Sequence, residues 1–546
     1  MQKARGKDQL CEYLASGLPP LLPEFLRKQR WFGGKAKTIR SVEIQDFISV
    51  ADEPAAGVFI ILAFVVYAEA APETYVLPLT LLSAEEAVRL QAREPSVPIL
   101  QLPSRDGHKD IFLLDALWDR NFCMLLLEGI RRRSIFRGKA GEIHAAPTVA
   151  FERLIHQAQS GGGLEPSLVR REQSNTSVVY GDRFILKFFR RLEEGINLDV
   201  DLGVFLTHRC SFAHVPQVAG DIVYRHGEAA PVSIAFLQEF VRNQGDAWHY
   251  TLAVLEDYLE SASRYPGFDL QISKDSLFSL AIEAIPEIAR KRIGSYLDSA
   301  QLLGRRTADL HLALASDSSD PKFAPEPFSR AYRDSIFGAM CAQATRSFGL
   351  LRNRLNTLPE AGQEQVQKVL SLEDKVLAQF RPVVDKEFEA LRIRIHGDFH
   401  LGQVLCANGD FVIIDFEGEP ARPLSERQIK RSPLQDVAGM LRSFHYAAES
   451  ALLGQAAPNG TELRDRRELK AWAGYWQTYV SAAFLKEYLL VAGRSPLLPQ
   501  GPEDLELLLR AFQLDKAVYE LDYELNNRPD WVRVPLDGIV QIVEAG

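Results

Sequence analysis

Between Ser41 and Leu82 three apolar runs rich in β-branched residues, SVEIQDFISV, GVFIILAFVVYAE and TYVLPLTLL, are parted by the turn-rich ADEPAAG and EAAPE. The pattern predicts three successive strands in a meander. A strand-like DIFLLDALWD near 110–119 and an apolar helix near 121–131 follow. The stretch HQAQSGGGLEP, with Gly161, Gly162 and Gly163 in a row, fits neither period and reads as a linker or domain edge. Residues 168–186 then alternate as strand, turn, strand, and residues 215–241 give two more strands, so a small antiparallel lobe is expected. From about Ala247 to Ala390, and again from Leu463 to Asn526, the period becomes helical. One short β segment, 392–417, lies between these helical blocks.

Composition narrows the class without naming a chemistry. At 546 residues, with 46% hydrophobic and 25% charged positions, the chain has the make-up of a soluble globular protein of several domains. Its formal charge of -9 gives no general footprint for nucleic acid or an anionic membrane, so neither is expected as a partner. The longest uncharged apolar stretch, Ala55 to Ala68, is about fourteen residues against the roughly 20 that cross a bilayer, and reads as a buried strand. The five cysteines are scattered without a CxxC pair, which argues against a disulfide framework or structural zinc and suits a cytoplasmic location. The N-terminus has basic residues but no apolar core with a cleavage site, so no secretory signal is expected.

The chemistry concentrates between Arg394 and Glu419. Asn408-Gly409, flanked by VLC and FVIID, suits a tight hairpin turn with positive φ. A hairpin sets its ends side by side, so Gln403 and Asp415 converge with hard oxygen ligands suited to magnesium. Asp398 precedes Gln403 by the spacing with which kinase catalytic loops hold a base beside a metal ligand, and it is the expected catalytic base. The turn Gln173-Ser174-Asn175-Thr176-Ser177 offers N–H groups and hydroxyls to phosphate. Lys187 closes the strand RFILK and points a cation toward the α and β phosphates of ATP. Its expected carboxylate partner is Asp201, preferred over Asp199, on a helix capped by Asn197. Glu239, Phe240 and Val241 form the expected hinge, with backbone groups for adenine. His396 and His400 flank Asp398 on a loop, where their spacing does not make a metal pair, so zinc is not expected. Asp436 is expected to buttress the catalytic loop from the next helix.

These residues, the run H-G-D-F-H-L-G-Q at 396–403, I-D-F-E-G-E at 414–419 and S-P-L-Q-D-V-A-G-M-L-R-S-F at 432–444, resemble the maltokinase family. R-W-F-G-G-K at 30–35, E-Q-S-N-T-S at 172–177, L-G-R-R-T-A-D-L-H at 303–311 and D-K-A-V-Y-E-L-D-Y-E at 515–524 extend the likeness over most of the chain. The resemblance implies an α+β, bilobal protein-kinase-like (aminoglycoside phosphotransferase-like) fold with an N-terminal β-rich cap domain. The cap is expected over 1–135, a small β-rich nucleotide-binding lobe over 136–245, and a mostly helical lobe with catalytic loop and acceptor site over 246–546. It further implies phosphorylation of maltose at its anomeric hydroxyl by ATP with Mg2+, feeding α-glucan synthesis from trehalose. The same residues carry over: Asp398 as base, Gln403 and Asp415 on magnesium, Lys187 and 173–177 on the phosphates. The family tends to carry Glu where this chain has Asp201, which leaves the lysine's partner open.

For the sugar, Lys516, Tyr519, Glu520, Tyr523, Glu524 and Asn527 share one helical face that mixes rings, carboxylates and amides. The expected acceptor contacts are Lys516, Tyr519, Glu520, Tyr523 and Asn527, with His400, Glu417 and Arg422 from the catalytic segment. The alternatives are a kinase of another sugar such as glucosamine, or a kinase-like docking partner of a trehalose-processing enzyme, with trehalose synthase the expected partner.

Overall fold

A computed structural model of the chain turns the three apolar runs into the expected meander. Strands β1 (Ile39–Ser49), β2 (Val58–Tyr67) and β3 (Glu73–Leu82) pair antiparallel in that order. The sheet continues through β5 (Ile111–Asp115) to β4 (Ile99–Leu102). The structure describes residues 13–50, 57–102, 110–156, 163–169, 174–263, 275–355, 360–420, 422–454 and 463–544. Gly161 and Gly162 of the expected linker lie outside them. The described residues form two units, Met1–Thr207 with Pro216–Arg242, and His208–Val215 with Asn243–Gly546.

The first unit holds two sheets. The second is seven-stranded, in the order β6 (Ile135–Arg137), β7 (Glu142–Pro147), β12 (Val218–Arg225), β13 (Val232–Glu239), β10 (Phe184–Phe189), β9 (Asn175–Tyr180), β8 (Pro166–Leu168). The two-residue β11 (Arg191–Leu192) leaves β10 and pairs instead with β3 of the meander sheet. Two helices matter here, α1 (Arg120–Arg132) and α2 (Leu198–Val204).

The uninterrupted apolar text of β2 has a simple cause. Successive side chains point to opposite faces, and both faces are covered. Phe59, Ile61, Ala63 and Val65 pack with Trp31, Phe32 and Tyr75 on one side. Val58, Ile60 and Leu62 join Ile143, Phe184, Leu186 and Leu237 of the second sheet and α1 on the other. At the edge of this shared core Asp46, 2% exposed, accepts the N–H groups of Lys139, Ala140 and Gly141 from the β6–β7 turn and the hydroxyl of Tyr224.

The second unit is mainly helical. Its principal helices are α3 (Ala247–Ser263), α4 (Tyr296–Leu314), α5 (Leu434–Gly454), α6 (Leu463–Ala492), α7 (Pro502–Asn527) and α8 (Arg533–Glu544). Two-residue strands β14 (Glu326–Pro327) and β15 (Leu391–Arg392) pair ahead of the hairpin of β16 (Val404–Ala407) and β17 (Asp410–Ile413). The Asn408-Gly409 turn has φ of 54° and 74°, the left-handed pair that this dipeptide favours. The segment His208–Val215 belongs here because the His214 carbonyl accepts the N–H of Ile413 at 2.8 Å. No helix among the described residues is long and apolar enough to cross a membrane.

The L-G-R-R-T-A-D-L-H run lies on α4 and has a packing role. Gly304 brings α4 against α6 so closely that a Cβ would collide with the Phe484 carbonyl. Arg306 clamps both oxygens of Asp410 at the hairpin turn, at 2.9 and 2.7 Å. Gly304→Ala is expected to destabilise the fold by about 1–3 kcal/mol, because the added methyl meets backbone and the helices must part. Thermal melts of the variant and the parent check this.

Candidate active site

The segment that carries Asp398 is held by one face of α5. The buried carboxylate of Asp436 accepts the His396 N–H at 2.8 Å and the Gly397 N–H at 2.9 Å. Three residues on, Gly439 admits the loop closely, since a Cβ there would lie 2.6 Å from the Phe399 carbonyl. One turn further Ser443 Oγ accepts the Leu401 N–H at 3.1 Å. The positions 436, 439 and 443 recur at helical spacing, so a single face supplies a carboxylate, a gap and a hydroxyl in register with the loop. Burial raises the pKa of Asp436, but hydrogen bonding and charge from His311 and contributions from His396 and Gly397 outweigh it and hold the group below its ordinary range. An ionised Asp436 only accepts, so His311 Nε2, 3.2 Å away, carries the hydrogen and His311 Nδ1 takes the Tyr488 hydroxyl at 3.0 Å.

His396 is fixed in the same way. Its Nε2 lies 2.9 Å from the Ile414 carbonyl and its Nδ1 accepts the Asp398 N–H at 3.3 Å, so the ring serves as a strut across the loop. Asp398 follows, partly exposed. Its Oδ1 lies 3.3 Å from Lys516 Nζ and its Oδ2 3.8 Å from His400 Nε2. Desolvation, aided by Lys516 and opposed by Asp398, holds His400 below the usual imidazole range, in keeping with its Nδ1 accepting the Gly402 N–H.

Gln403 and Asp415 do converge across the hairpin ends, with Gln403 Nε2 2.9 Å from Asp415 Oδ2. Asp415 has a φ of 69°, unusual for a residue other than glycine and the kind of backbone strain that collects at functional sites. Glu417, expected on the sugar side, instead brings a carboxylate oxygen within 4.8 Å of one on Asp415. A carboxamide and two carboxylates fit a hard divalent cation. Gly397 and Gly418, both at positive φ, let the two loops meet backbone to backbone, with 3.3 Å from an ideal Cβ on Gly397 to the Gly418 Cα.

A polar pocket opens beside Asp398. Lys516, Tyr519 and Arg422 line it as expected, joined by Glu419, Asp515 and Arg431, which sequence reasoning missed. Lys516 Nζ is 3.3 Å from Glu419 Oε1, and Arg422 bonds the same carboxylate. Burial works against the charge of Lys516, yet Glu419 and Asp398 outweigh it and raise its pKa. Burial likewise pushes the Tyr519 hydroxyl up to about 12.

The other expected sugar contacts are not in this pocket. Glu520 is taken by Arg442 of α5 at 2.9 and 2.6 Å, Tyr523 is 45% exposed, and the Asn527 amide caps the Tyr523 carbonyl. The helical face is real, but at 1.5 Å per residue Tyr523 and Asn527 stand roughly 10 and 16 Å along the axis from Lys516. Sharing an angle is not sharing a site.

In the first unit Lys187 pairs with Asp199, not Asp201, at 3.1 Å. Asn197 caps α2 by accepting the Asp199 N–H, which fixes the register. Asp201 then lies about 200° further around the helix. The expected phosphate turn is also displaced. Asn175, Thr176 and Ser177 are the opening of β9, and Thr176 and Ser177 are buried, while Ser174 is exposed just before the strand and Gln173 lies outside the described residues. Thr176 Oγ1 is claimed by Arg190 Nε at 2.8 Å. Arg190 itself is buried on Asp115 at 2.7 Å and beneath the Trp31 ring, so β9 is tied to the meander sheet. At the expected hinge, β13 ends at Glu239, and the Phe240 N–H is already given to the Arg183 carbonyl at 2.7 Å, which removes it as a donor to a ligand.

Comparison with known proteins bears on the fold and the cap. Residues 25–119 match the maltokinase N-terminal cap domain. The chain is 24% identical to a glucosamine kinase of Mycolicibacterium smegmatis over 399 residues, 72% of this chain and 84% of that one. It is 25% identical to a glucosamine kinase of Streptacidiphilus jiangxiensis over 375 residues, 67% and 70% of the two chains. A solved glucosamine kinase in its second crystal form has a TM-score of 0.60 at 17% identity, covering 98% of this chain and 99% of its own. The complex of glucosamine kinase with glucosamine, ADP and inorganic phosphate has a TM-score of 0.59 at 18% identity, covering 92% and 95%. The fold is therefore the α+β fold of the solved glucosamine kinases, with a stretch that matches a maltokinase N-terminal cap domain. Residues 25–119 thus resemble a maltokinase cap, and most of the chain resembles glucosamine kinases.

Two outcomes follow from the charges. Asp436→Ala strips three hydrogen bonds from one ion and is expected to lower stability by about 3 kcal/mol or more, read in denaturant melts. Burial, then Glu419, pushes Asp515 up to about 6 from an ordinary 3.8. Between those values the folded state holds a proton that the unfolded state has lost, so stability falls as pH rises through the window. Asp515→Asn is expected to be more stable than the parent at pH 7.5, by on the order of 3 kcal/mol, with the difference vanishing below about pH 4. Melting temperatures across that range check the sign.

Proposed function

We propose that the chain is an ATP-dependent sugar kinase that phosphorylates maltose at its anomeric hydroxyl, giving maltose 1-phosphate and ADP for α-glucan synthesis. The observation that carries the reading is the setting of Asp398, a carboxylate on a loop clamped by Asp436, with one oxygen beside Lys516 at the wall of a polar pocket. Such a carboxylate orients a hydroxyl and accepts its proton as the oxygen attacks phosphorus. An anomeric hydroxyl is more acidic than other sugar hydroxyls, so a carboxylate already neighboured by a cation is base enough.

Gln403, Asp415 and Glu417 would hold magnesium, and bound there it would neutralise charge on the phosphates. Lys187, fixed by Asp199, would meet the nucleotide's phosphates, and the backbone of Glu239 and Val241 would meet its base. Their supporting observations are the Lys187–Asp199 pair and the end of β13 at Glu239. Arg422, Lys516 and Tyr519 would contact the acceptor from the pocket wall. The reading sets the reaction in the cytoplasm, where ATP is made available, with a trehalose synthase as the expected partner.

A second acceptor, glucosamine, is favoured by the names of the curated relatives, and it leaves the phosphoryl-transfer residues unchanged. The deciding assay is ADP release with magnesium and ATP on maltose, glucose, glucosamine and trehalose, with NMR of the product. Maltose turnover with phosphate at C1 supports the proposal, turnover of glucosamine alone replaces the acceptor, and silence on all four returns the chain to a docking role. Asp398→Asn is expected to lower kcat by about 10²–10⁴-fold while the KM for ATP stays within a small factor. Near-parental turnover in that variant removes Asp398 as the base.

A further inference from the structure

The acceptor pocket carries an unusual charge arrangement. Lys516 Nζ stands 3.3 Å from Asp398 Oδ1 and 3.3 Å from Glu419 Oε1, with the Tyr519 ring 4.6 Å away. One ammonium thus joins the expected base to the carboxylate on the pocket wall. Arg422 binds the same Glu419, and Arg427 and Arg431 add two further cations to the lining. Against these four stand the lining carboxylates Glu419, Asp515 and Asp436, and the last is committed to the catalytic loop. The position between Asp398 and Glu419 is where a cationic acceptor would gain most, and the protein fills it with its own cation. A neutral sugar faces no such conflict, since its hydroxyls accept from guanidinium and ammonium groups and donate to Glu419.

We propose that Lys516 is the specificity-determining residue of the acceptor pocket, admitting neutral sugars and turning away sugars that carry an ammonium group. The assignment rests on the sugar-kinase reading above and deepens it. Placing like charges in one pocket is a form of discrimination by repulsion, which works without better contacts to the preferred partner.

The test is initial-rate ADP release by the full chain with maltose, N-acetylglucosamine and glucosamine as acceptors, each with a kcat and KM. The wild type is expected to favour its best neutral sugar over glucosamine by at least about 100-fold in kcat/KM. Lys516→Met is expected to narrow that ratio at least about tenfold by lowering the KM for glucosamine, and Lys516→Arg to keep it. Loss of both acceptors in proportion in a folded Lys516→Met variant overturns the assignment, because a purely structural ion pair predicts that. Should Lys516→Met fail to fold by circular dichroism, the wild-type ratio and Lys516→Arg decide, and a wild-type ratio under about tenfold, or a collapse of the ratio in Lys516→Arg, overturns it. A wild type that prefers glucosamine overturns this assignment alone, whereas a folded wild type silent on every sugar overturns the kinase reading together with it.

Discussion

One buried carboxylate fixes the loop that carries the proposed base. Asp436 takes the N–H groups of His396 and Gly397, and its own position is set by His311, which is set in turn by the Tyr488 hydroxyl. The chain of contacts runs from α6 through α4 to α5 and ends on the backbone of the loop, two residues from Asp398. Tyr488, His311, Asp436 and His396 are nearly or wholly buried, so water competes little for the bonds among them. A base of the kind proposed for Asp398 needs such support, since a free loop would sample many orientations of its carboxylate. The helical motifs around the loop are therefore parts of its scaffold. Gly304 permits the α4–α6 contact, His311 reaches Asp436, and Gly439 leaves room for the loop to lie flat on α5.

The site itself combines strain with close backbone approach. Asp415 is held in a left-handed conformation at the end of β17, while Gly397 and Gly418 allow two loops to touch where side chains would keep them apart. Both features cost conformational freedom, and the hairpin's two short strands would not enforce them alone. Arg306 on Asp410 and the His214 carbonyl on Ile413 anchor β17 from outside the hairpin. The preorganisation is thus distributed over sequence positions nearly two hundred residues apart.

Much of this was legible in the letters because it is local. Asn408-Gly409 announces its turn, the apolar run of β2 announces burial on both faces, and the Asp398, Gln403, Asp415 spacing follows from a hairpin whose ends must meet. What could not be read depends on register or distance. Whether Asp199 or Asp201 meets Lys187 turns on where Asn197 starts the helix, a difference of two residues. Thr176 and Ser177 look like a phosphate turn until β9 is seen to begin at Asn175. Glu520, Tyr523 and Asn527 share an angle with Lys516, yet Arg442 takes Glu520 and the axial rise carries the other two off. Glu419 and Asp515 carry no local signal, because their meaning arises only when α7 is laid beside the segment that carries Asp398.

The core shared by the two sheets of the first unit bears on how the cap can be handled as a piece of protein. The cap family match ends at residue 119, but Ile48, Ile60, Leu62 and Val76 pack against Ile143, Leu186 and Ile234 beyond that point. Asp46 gathers its donors from residues 139–141, and β11 completes the cap sheet from residues 191–192. A gene cut at the family boundary would therefore pass through a hydrophobic core instead of a linker. Chimaeras that exchange caps between relatives would have to carry β6 through β13 along, so recombination between such chains should preserve the two sheets as a single inherited block.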